Sequence, residues 1–235
     1  MTIRTVAETG STNADLLVLA RNGGPDGVWL RAEQQTGGRG RQGRAWVSPP
    51  GNLYASTLVR LRPSDPEAAS LALVAAVAVE DVVRVYLSTA ATAVLKWPND
   101  LLVNGAKLSG ILLERAGDAV VVGIGINLAH HPESLERATT SLAAHGATVD
   151  PARFLETLAD TFTRWLGVWR GQGLGPVRAR WLDRAHPIGT ALTARLPDDS
   201  TVEGLFDGLD SSGALVLRLA DGSRRVIHAA DIFLL

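Results

Sequence analysis

The chain has 235 residues, 46% of them hydrophobic, so it can bury a full core as one large domain or one large and one small domain. Its 23 basic and 24 acidic residues give a formal net charge of -1, which provides no overall field for holding DNA or an anionic membrane. The absence of cysteine excludes disulfides, thiolate metal sites and cysteine nucleophiles, and it fits a cytoplasmic location.

The first predicted elements are strands at residues 3–7 and 28–33, with a helix between them that ends at Gly23. Side chains that can cap this helix precede it: Ser11, Thr12 and Asn13. A further strand is predicted at residues 53–61.

A long helix is predicted from Pro66 to Leu87, and its composition is apolar nearly all round. Such a helix packs against a sheet rather than lying on the surface. It also contains Glu80, Asp81 and Arg84, whose charges would be costly in a bilayer. We therefore interpret it as a buried helix and predict no membrane span.

The central segment predicts two buried strands, at residues 107–114 and 119–127, the first preceded by a turn at Asn104 and Gly105. A loop with one helical turn is expected over residues 128–149. A helix over residues 151–170 should follow, with Asp150 as its cap, and a shorter one at residues 178–184.

From residue 188 the chain consists of short alternating segments separated by turn residues. Four or five short strands in fewer than fifty residues are typical of a small barrel or sandwich. We therefore predict two domains, residues 1–186 and residues 187–235, with the boundary near Pro187.

The stretch TGGRGRQGRAW, from Thr36 to Trp46, contains a G-x-G-x-x-G spacing. A dinucleotide fingerprint needs a helix directly after it, and Pro49 prevents one here. No Lys-Ser or Lys-Thr pair closes the stretch, so it is not a Walker phosphate loop. Arginines among glycines instead favour a loop that closes over a phosphate or carboxylate ligand through charge-assisted hydrogen bonds. A solvated basic loop, or a nonspecific nucleic-acid contact, is the alternative.

A second cluster of polar residues lies in KWPNDL, residues 96–101. Lys96 and Lys107 are the only lysines in the sequence, and both lie in this region, which hints at a need for compact point charges. Lys107 is the better candidate for an inward-facing charge because small residues surround it on its strand. A purely structural interpretation is also open, with Trp97 in the core and Lys96 paired to Asp100 at the surface. The five histidines show no metal-ligand spacing, so no protein metal site is predicted.

Four motifs, GSTN, QQTGGRGRQGRAW, KWPNDLLVNGAKLSGILLE and GIGIN, occur in this order and resemble the biotin protein ligase family. The resemblance extends to about Leu128, and the short-stranded tail resembles the family's C-terminal SH3-like β-barrel. It implies an α+β fold in which a mixed β-sheet is flanked by helices, as in class II synthetases. The chain is most similar to ligases without an N-terminal helix-turn-helix domain, so a repressor role and a DNA partner are not expected.

The resemblance implies a two-step acyl transfer. Biotin's carboxylate attacks the α-phosphate of ATP, which enters with Mg²⁺, and gives biotinyl-5'-AMP and pyrophosphate. A lysine of a biotin carboxyl carrier protein domain then attacks the mixed anhydride and releases AMP. The implied partner is that carrier, with no membrane, and the implied assembly is a monomer or weak homodimer.

The resemblance also implies site residues at matching motif positions. Lys107 and Arg41 are expected to be catalytic, with Lys107 between the biotin carboxyl and the α-phosphate and Arg41 guarding the adenylate. The expected biotin-binding residues are Ser11, Thr12, Asn13, Gln35, Arg39, Gly40, Arg41, Lys107, Gly110 and Gly125. The expected nucleotide-binding residues are Arg44, Trp46, Asn127 and Asp100. Residues 129–148 are expected to cover the adenylate, although no motif is matched there.

Three other functions are alternatives, and the sequence favours none of them. A lipoate or octanoate ligase or transferase shares the expected fold and also modifies a carrier lysine. A non-enzymatic regulator could bind biotinyl-adenylate or DNA. A nicotinamide-dependent oxidoreductase rests on the glycine spacing alone.

Overall fold

Two β-sheets and four α-helices make up the structure, a computed structural model that describes residues 2–133 and 137–234. The helices are α1 (Thr12–Arg21), α2 (Leu71–Val83), α3 (Pro151–Gln172) and α4 (Leu174–Leu182). None of the helices in these described ranges is long and apolar enough to cross a membrane.

The larger sheet has seven strands in the order β1-β2-β3-β7-β6-β5-β4. Only β1 and β2 pair in parallel, and the other neighbours are antiparallel, so the sheet is mixed as predicted. Its strands are β1 (Thr2–Thr9), β2 (Val28–Gln35), β3 (Leu53–Arg60), β4 (Ala93–Lys96), β5 (Asp100–Val103), β6 (Ala106–Ala116) and β7 (Ala119–Ile126).

Two helices have different bounds in the structure from those predicted from the sequence. The apolar segment 66–87 is α-helical only over α2, with short 3-10 turns at Ala68–Ser70 and Arg84–Tyr86. Helix α4 begins earlier than predicted, at Leu174. Helix α3 is confirmed, with the Asp150 carboxylate accepting hydrogen bonds from the backbone amides of the first turn.

The helices cover opposite faces of the larger sheet. Helix α1 packs on one face with Leu16 and Ala20, against Leu58 and Val121. Helices α2, α3 and α4 form the main core on the other face. Side chains alternate between the faces of a strand, so Val120, Val122, Ile124 and Ile126 of β7 lie in the main core, while Gly123 and Gly125 face the α1 side together with Val121. The α1 face therefore has room for a cavity.

The C-terminal residues form a five-stranded antiparallel sheet in the order β11-β10-β9-β8-β12. Its strands are β8 (Ala191–Arg195), β9 (Thr201–Leu209), β10 (Leu215–Arg218), β11 (Arg224–Ile227) and β12 (Asp231–Leu234). The Trp97 indole donates a hydrogen bond of 3.1 Å to the Gly213 carbonyl, which docks this sheet on the KWPNDL segment. The domain boundary near Pro187 stays a prediction.

A buried carboxylate ties the helices together. Glu80 on α2 is fully buried, and its Oε2 lies 2.5 Å from Nη2 of Arg180 on α4. The same Arg180 nitrogen lies 2.6 Å from Asp81 Oδ1. Arg84 and Arg184 approach the other Glu80 oxygen at 3.6 and 3.7 Å. Removing the short contact would leave a buried charge with only these longer partners.

We predict that Arg180→Ala lowers the free energy of unfolding by about 3 kcal/mol, the low end for a broken buried pair, because two arginines still approach Glu80. Urea denaturation followed by circular dichroism measures this change. Arg164→Ala is the matched control, since Arg164 pairs with Asp81 at the surface and should cost less than about 1 kcal/mol. Equal losses in the two variants would contradict the assigned role of the buried pair.

Candidate active site

A cavity of about 640 Å³ opens on the α1 face of the larger sheet. Its floor is a row of directly opposed residues on five neighbouring strands: Lys96, Asp100, Gly110, Gly125 and Tyr54. Directly opposed residues share one face of a sheet, so all five positions point to the same side. The two adjacent glycines carry no side chain and so leave room for the Trp46 indole to approach the sheet.

A β-bulge turns Lys107 into this cavity. The pairing of β5 with β6 shifts register between Leu101 and Leu102, so one extra β6 residue, Leu108, is accommodated. Simple alternation would place Lys107 on the face opposite to Gly110. The bulge reverses this, buries Leu108 in the main core and brings Lys107 to the glycine side. The predicted inward-facing charge therefore depends on an irregularity in the strand.

Two contacts fix the Lys107 ammonium group. Its Nζ lies 2.6 Å from Oδ1 of Asp100, and it stands 5.5 Å from the centroid of the Trp46 ring. Asp100 is nearly buried, so this ion pair is partly shielded from water. The pairing places a point charge beside the glycine floor.

Hydrogen bonds join the GSTN motif to the end of β2. Gln35 Oε1 accepts from the Thr12 backbone amide at 2.9 Å, and Thr12 Oγ1 lies 2.7 Å from Ser56 Oγ. Ser56 in turn donates to Asn13 Oδ1 at 2.6 Å, and Asn13 Nδ2 donates to Glu114 Oε2 at 2.7 Å. This continuous network holds polar groups in fixed positions at one end of the cavity. Ser11 lines the same end, and its side chain makes no capping hydrogen bond to α1.

Trp46 packs directly on the glycine floor. A Cβ added at Gly125 would lie 2.6 Å from Trp46 Cε2, and one added at Gly110 would lie 3.1 Å from Cζ3. The indole therefore packs on residues expected to bind biotin, whereas Trp46 itself is expected to bind the nucleotide. Its Nε1 is buried and has no hydrogen-bond partner among the described residues.

The glycine-rich stretch folds back on itself as a loop. Gly40 donates its amide to the Arg44 carbonyl at 2.7 Å, and Trp46 donates to the Gly38 carbonyl at 3.0 Å. Arg39 bridges to Ala45 across the loop. A single 3-10 turn at residues 41–43 is the only helical part, and residues 44–52 form no helix. This geometry agrees with the rejection of a dinucleotide fingerprint.

Asp231, at the start of β12, anchors this loop. Its side chain is 5% exposed and forms a hydrogen bond with Arg44. Arg41 approaches it at 3.9 Å and donates to the Ala230 carbonyl at 3.1 Å. Arg137 and Arg195 lie 3.5 and 3.6 Å away. Burial acts to raise the pKa of Asp231, but these arginines, chiefly Arg44 and Arg137, hold it below its usual value.

Asn127 holds a second loop against the cavity. Its Nδ2 donates to the Thr140 carbonyl at 3.0 Å, and its carbonyl accepts from the Leu142 amide. The Lys107 backbone pairs with the same loop, through the carbonyl of Ala138 and the amide of Thr140. A direct contact of Asn127 with a nucleotide stays a prediction. Part of the predicted covering loop, residues 134–136, lies outside the described residues.

Every site residue named from the sequence lines this one cavity. Several other lining residues were not predicted from the sequence, including Tyr54, Asn99, Arg137, Arg195 and Asp231. Burial raises the pKa of Tyr54 to about 12, so its hydroxyl stays protonated. Arg195 and Asp231 come from the C-terminal sheet, which had no predicted site residue.

The cavity is strongly basic although the whole chain is nearly neutral. Seven basic residues line it: Arg39, Arg41, Arg44, Lys96, Lys107, Arg137 and Arg195. Among the described residues, Asp100 and Asp231 are its only acidic lining. Such a concentration of positive charge, with one polar network and apolar walls, suits a ligand that combines a neutral polar head with several negative oxygens.

Comparisons with known proteins agree with this geometry. The biotin/lipoate A/B protein ligase family matches residues 25–129, and the biotin protein ligase C-terminal domain matches residues 188–235. A biotin acetyl-CoA-carboxylase ligase of Paracoccus denitrificans is 44% identical and aligns over 97% of this chain and 98% of its own. One of Mycobacterium tuberculosis is 38% identical over 97% of this chain and 86% of its own. The structure of a biotin protein ligase from Aquifex aeolicus in complex with biotin and ATP has a TM-score of 0.87 and 25% identity, covering 100% of this chain and 99% of that one.

The mixed sheet flanked by helices, together with the first family match, defines the class of biotin and lipoate ligases. Two relatives that align with nearly the whole chain are biotin acetyl-CoA-carboxylase ligases, which restricts the class to the biotin ligases. The chain belongs to the biotin protein ligase family.

We predict that Asp231→Asn speeds tryptic cleavage within residues 39–44 several-fold, because the isosteric amide no longer binds Arg44 and Arg41 as a charged partner. Limited proteolysis with mass spectrometry identifies the cleaved bonds, and thermal unfolding shows whether the whole fold is intact. Asp207→Asn is the matched control, since Asp207 pairs with Arg224 in the same sheet but away from the loop. Identical cleavage rates in the two variants would show that Asp231 does not anchor the loop.

Proposed function

We infer that this protein activates biotin with ATP to biotinyl-5'-AMP and transfers the biotinyl group to a lysine of a biotin carboxyl carrier protein domain. The single observation that carries this function is the near full-length identity to biotin acetyl-CoA-carboxylase ligases. The co-location of the family's motif residues in one cavity supports it.

We propose that biotin binds at the end of the cavity beside α1. The network of Thr12, Asn13 and Gln35 offers fixed donors and acceptors, which suit the polar ureido ring. Biotin's apolar chain would then run beside the Trp46 indole, which packs on Gly110 and Gly125. This direction brings the carboxylate toward Lys107.

Lys107 is proposed to stabilise the first step. As a biotin carboxylate oxygen attacks the α-phosphate, negative charge accumulates on the phosphoryl oxygens. A preorganised ammonium group 2.6 Å from Asp100 can follow those oxygens, because it is a compact charge with several donors. Arg41 and Arg44 supply further positive charge from the loop.

Magnesium is proposed to enter with ATP. The cavity's two carboxylates are already engaged by basic side chains, and no group of three or more candidate ligands occurs in residues 2–133 and 137–234. This donor set fits Mg²⁺ only as a nucleotide-bound ion, since Mg²⁺ needs one or two carboxylates together with phosphates and water. Asp100 is the carboxylate that could contribute, and the ion would neutralise phosphate charge.

Location and assembly are proposals as well. We propose a cytoplasmic protein, monomeric or weakly dimeric, that binds no DNA and no membrane. The near-neutral net charge of -1 supports the proposal for DNA and membranes.

Pyrophosphate exchange into ATP tests the proposed reaction. With magnesium, exchange should appear with biotin and be absent with lipoate, octanoate or no added acid. Exchange with lipoate or octanoate alone would leave the fold assignment unchanged and show that biotin is not the acid that is activated. A folded sample without exchange for any acid would contradict the adenylation step.

We predict that Lys107→Ala slows biotin-dependent exchange by about 100-fold or more, as expected when a preorganised cation is removed from the reacting oxygens. Exchange rates at saturating biotin measure the loss, and circular dichroism measures the fold. Arg115→Ala is the matched control, because Arg115 is exposed on the same strand. If Lys107→Ala and Arg115→Ala exchange pyrophosphate at the same rate, Lys107 does not act in the first step.

A second prediction concerns retention of the adenylate. Arg41→Gly removes the loop's contacts with Asn99 and Ala230, so biotinyl-5'-AMP should escape and label lysines of an unrelated protein such as serum albumin. Streptavidin blotting measures this labelling. Arg62→Gly, which changes an exposed loop arginine, is the control. If Arg41→Gly labels bystanders no more than wild type, Arg41 does not guard the intermediate.

A further inference from the structure

Lys96 is a cation in the cavity that the reaction described so far does not use. It stands at the end of the floor row, opposite Asp100 on β5, and lines the cavity. Across residues 2–133 and 137–234 it forms no ion pair within 4.0 Å and no side-chain hydrogen bond, whereas Lys107 is paired at 2.6 Å. Its side chain is only partly exposed. A partly buried ammonium group without a protein partner is suited to bind an anion from outside the chain.

The carboxylates near Lys96 are committed to other cations. Asp100 binds Lys107, and Asp231 is surrounded by four arginines. On the other side Lys96 faces His186, whose buried Nε2 has no hydrogen-bond partner in the described structure. Arg137 and Lys107 also act on it with positive charge. Burial, partly offset by Asp100, lowers the pKa of Lys96 from its usual value, which is the effect expected for an unbalanced charge.

The position of Lys96 along the row indicates which anion it meets. The row runs from Gly125 through Gly110 and Asp100 to Lys96, so Lys96 lies two strands, roughly 10 Å, beyond Gly110. Lys107 reaches the middle of this row, at Asp100. If biotin's carboxyl and the α-phosphate meet at Lys107, the remaining phosphates of ATP extend toward the next cation in the row.

We propose that Lys96 binds the β- and γ-phosphates of ATP and stabilises pyrophosphate as it leaves. This inference rests on the proposed function. In the first step a bond forms between a biotin carboxylate oxygen and the α-phosphorus. The bond between the α-phosphorus and the oxygen that bridges to the β-phosphate breaks, and that oxygen keeps the electron pair. Lys96, with Arg137 near it, stabilises the charge that accumulates on the departing pyrophosphate.

The two half-reactions separate this role from a merely structural one. Pyrophosphate takes part in adenylate formation but is absent when preformed biotinyl-5'-AMP transfers its acyl group to a carrier domain. Lys96→Met keeps the length and apolar stem of the side chain and removes its charge. It should weaken inhibition by added pyrophosphate and raise the KM for ATP, each about 10- to 100-fold, the effect of losing charge-assisted hydrogen bonds. Transfer from preformed adenylate should change by less than about 2-fold, and Lys96→Arg should recover part of the pyrophosphate affinity.

Several results would overturn this assignment. Pyrophosphate inhibition of Lys96→Met equal to that of the control Arg225→Met, which alters an exposed residue of β11, would exclude a pyrophosphate contact. Equal losses in both half-reactions would indicate a structural role. Calorimetric titration of wild type and Lys96→Met with inorganic pyrophosphate alone tests the site even if wild type shows no biotin-dependent exchange. An absence of biotin-dependent exchange in wild type would contradict the proposed function. The anion site would still be supported if wild type binds pyrophosphate more tightly than Lys96→Met, and it would be excluded if the two bind equally.

Discussion

The arrangement of the site depends on holding many positive charges around one cavity. Seven basic residues line it, and like charges at such short range repel unless counter-charges or ligands offset them. Two carboxylates supply the protein's own offset. Asp100 holds Lys107 at the centre of the floor, and Asp231 gathers arginines from the loop and from the C-terminal sheet. A nucleoside triphosphate and a carboxylate, bound together, can neutralise the positive charge that remains.

The backbone makes this arrangement possible through small irregularities in a regular sheet. Facing glycines on β6 and β7 leave room above the sheet, and Trp46 packs directly on them. The bulge at Leu108 turns Lys107 from the core face to the cavity face. The C-terminal sheet is also part of the site, because β12 begins with the carboxylate that anchors the loop.

Much of the fold and the site was predictable because its signals are local. Alternation and turn residues predicted most of the strands, although not β4 and β5; Asp150 predicted the start of α3, and the motif residues predicted the lining of one cavity. Other features have no local signal. Asp231 contacts Arg44 across 187 positions of sequence, and nothing around it marks a buried counter-ion. The bulge changes the face of Lys107 without altering the residue pattern, and the position of Trp46 is set by packing against distant strands. For α2, apolar composition alone could not distinguish α-helix from the 3-10 turns at its ends.

The central claim is that the basic cavity forms biotinyl-5'-AMP and keeps it until a carrier arrives. The most direct measurement is mass spectrometry, under native conditions, of the protein after incubation with biotin, ATP and magnesium followed by gel filtration. The account predicts that biotinyl-5'-AMP co-elutes stoichiometrically with the protein and is discharged when a biotin carboxyl carrier domain is added. A protein that emerges with ATP or biotin alone, or with the adenylate of another acid, would contradict it.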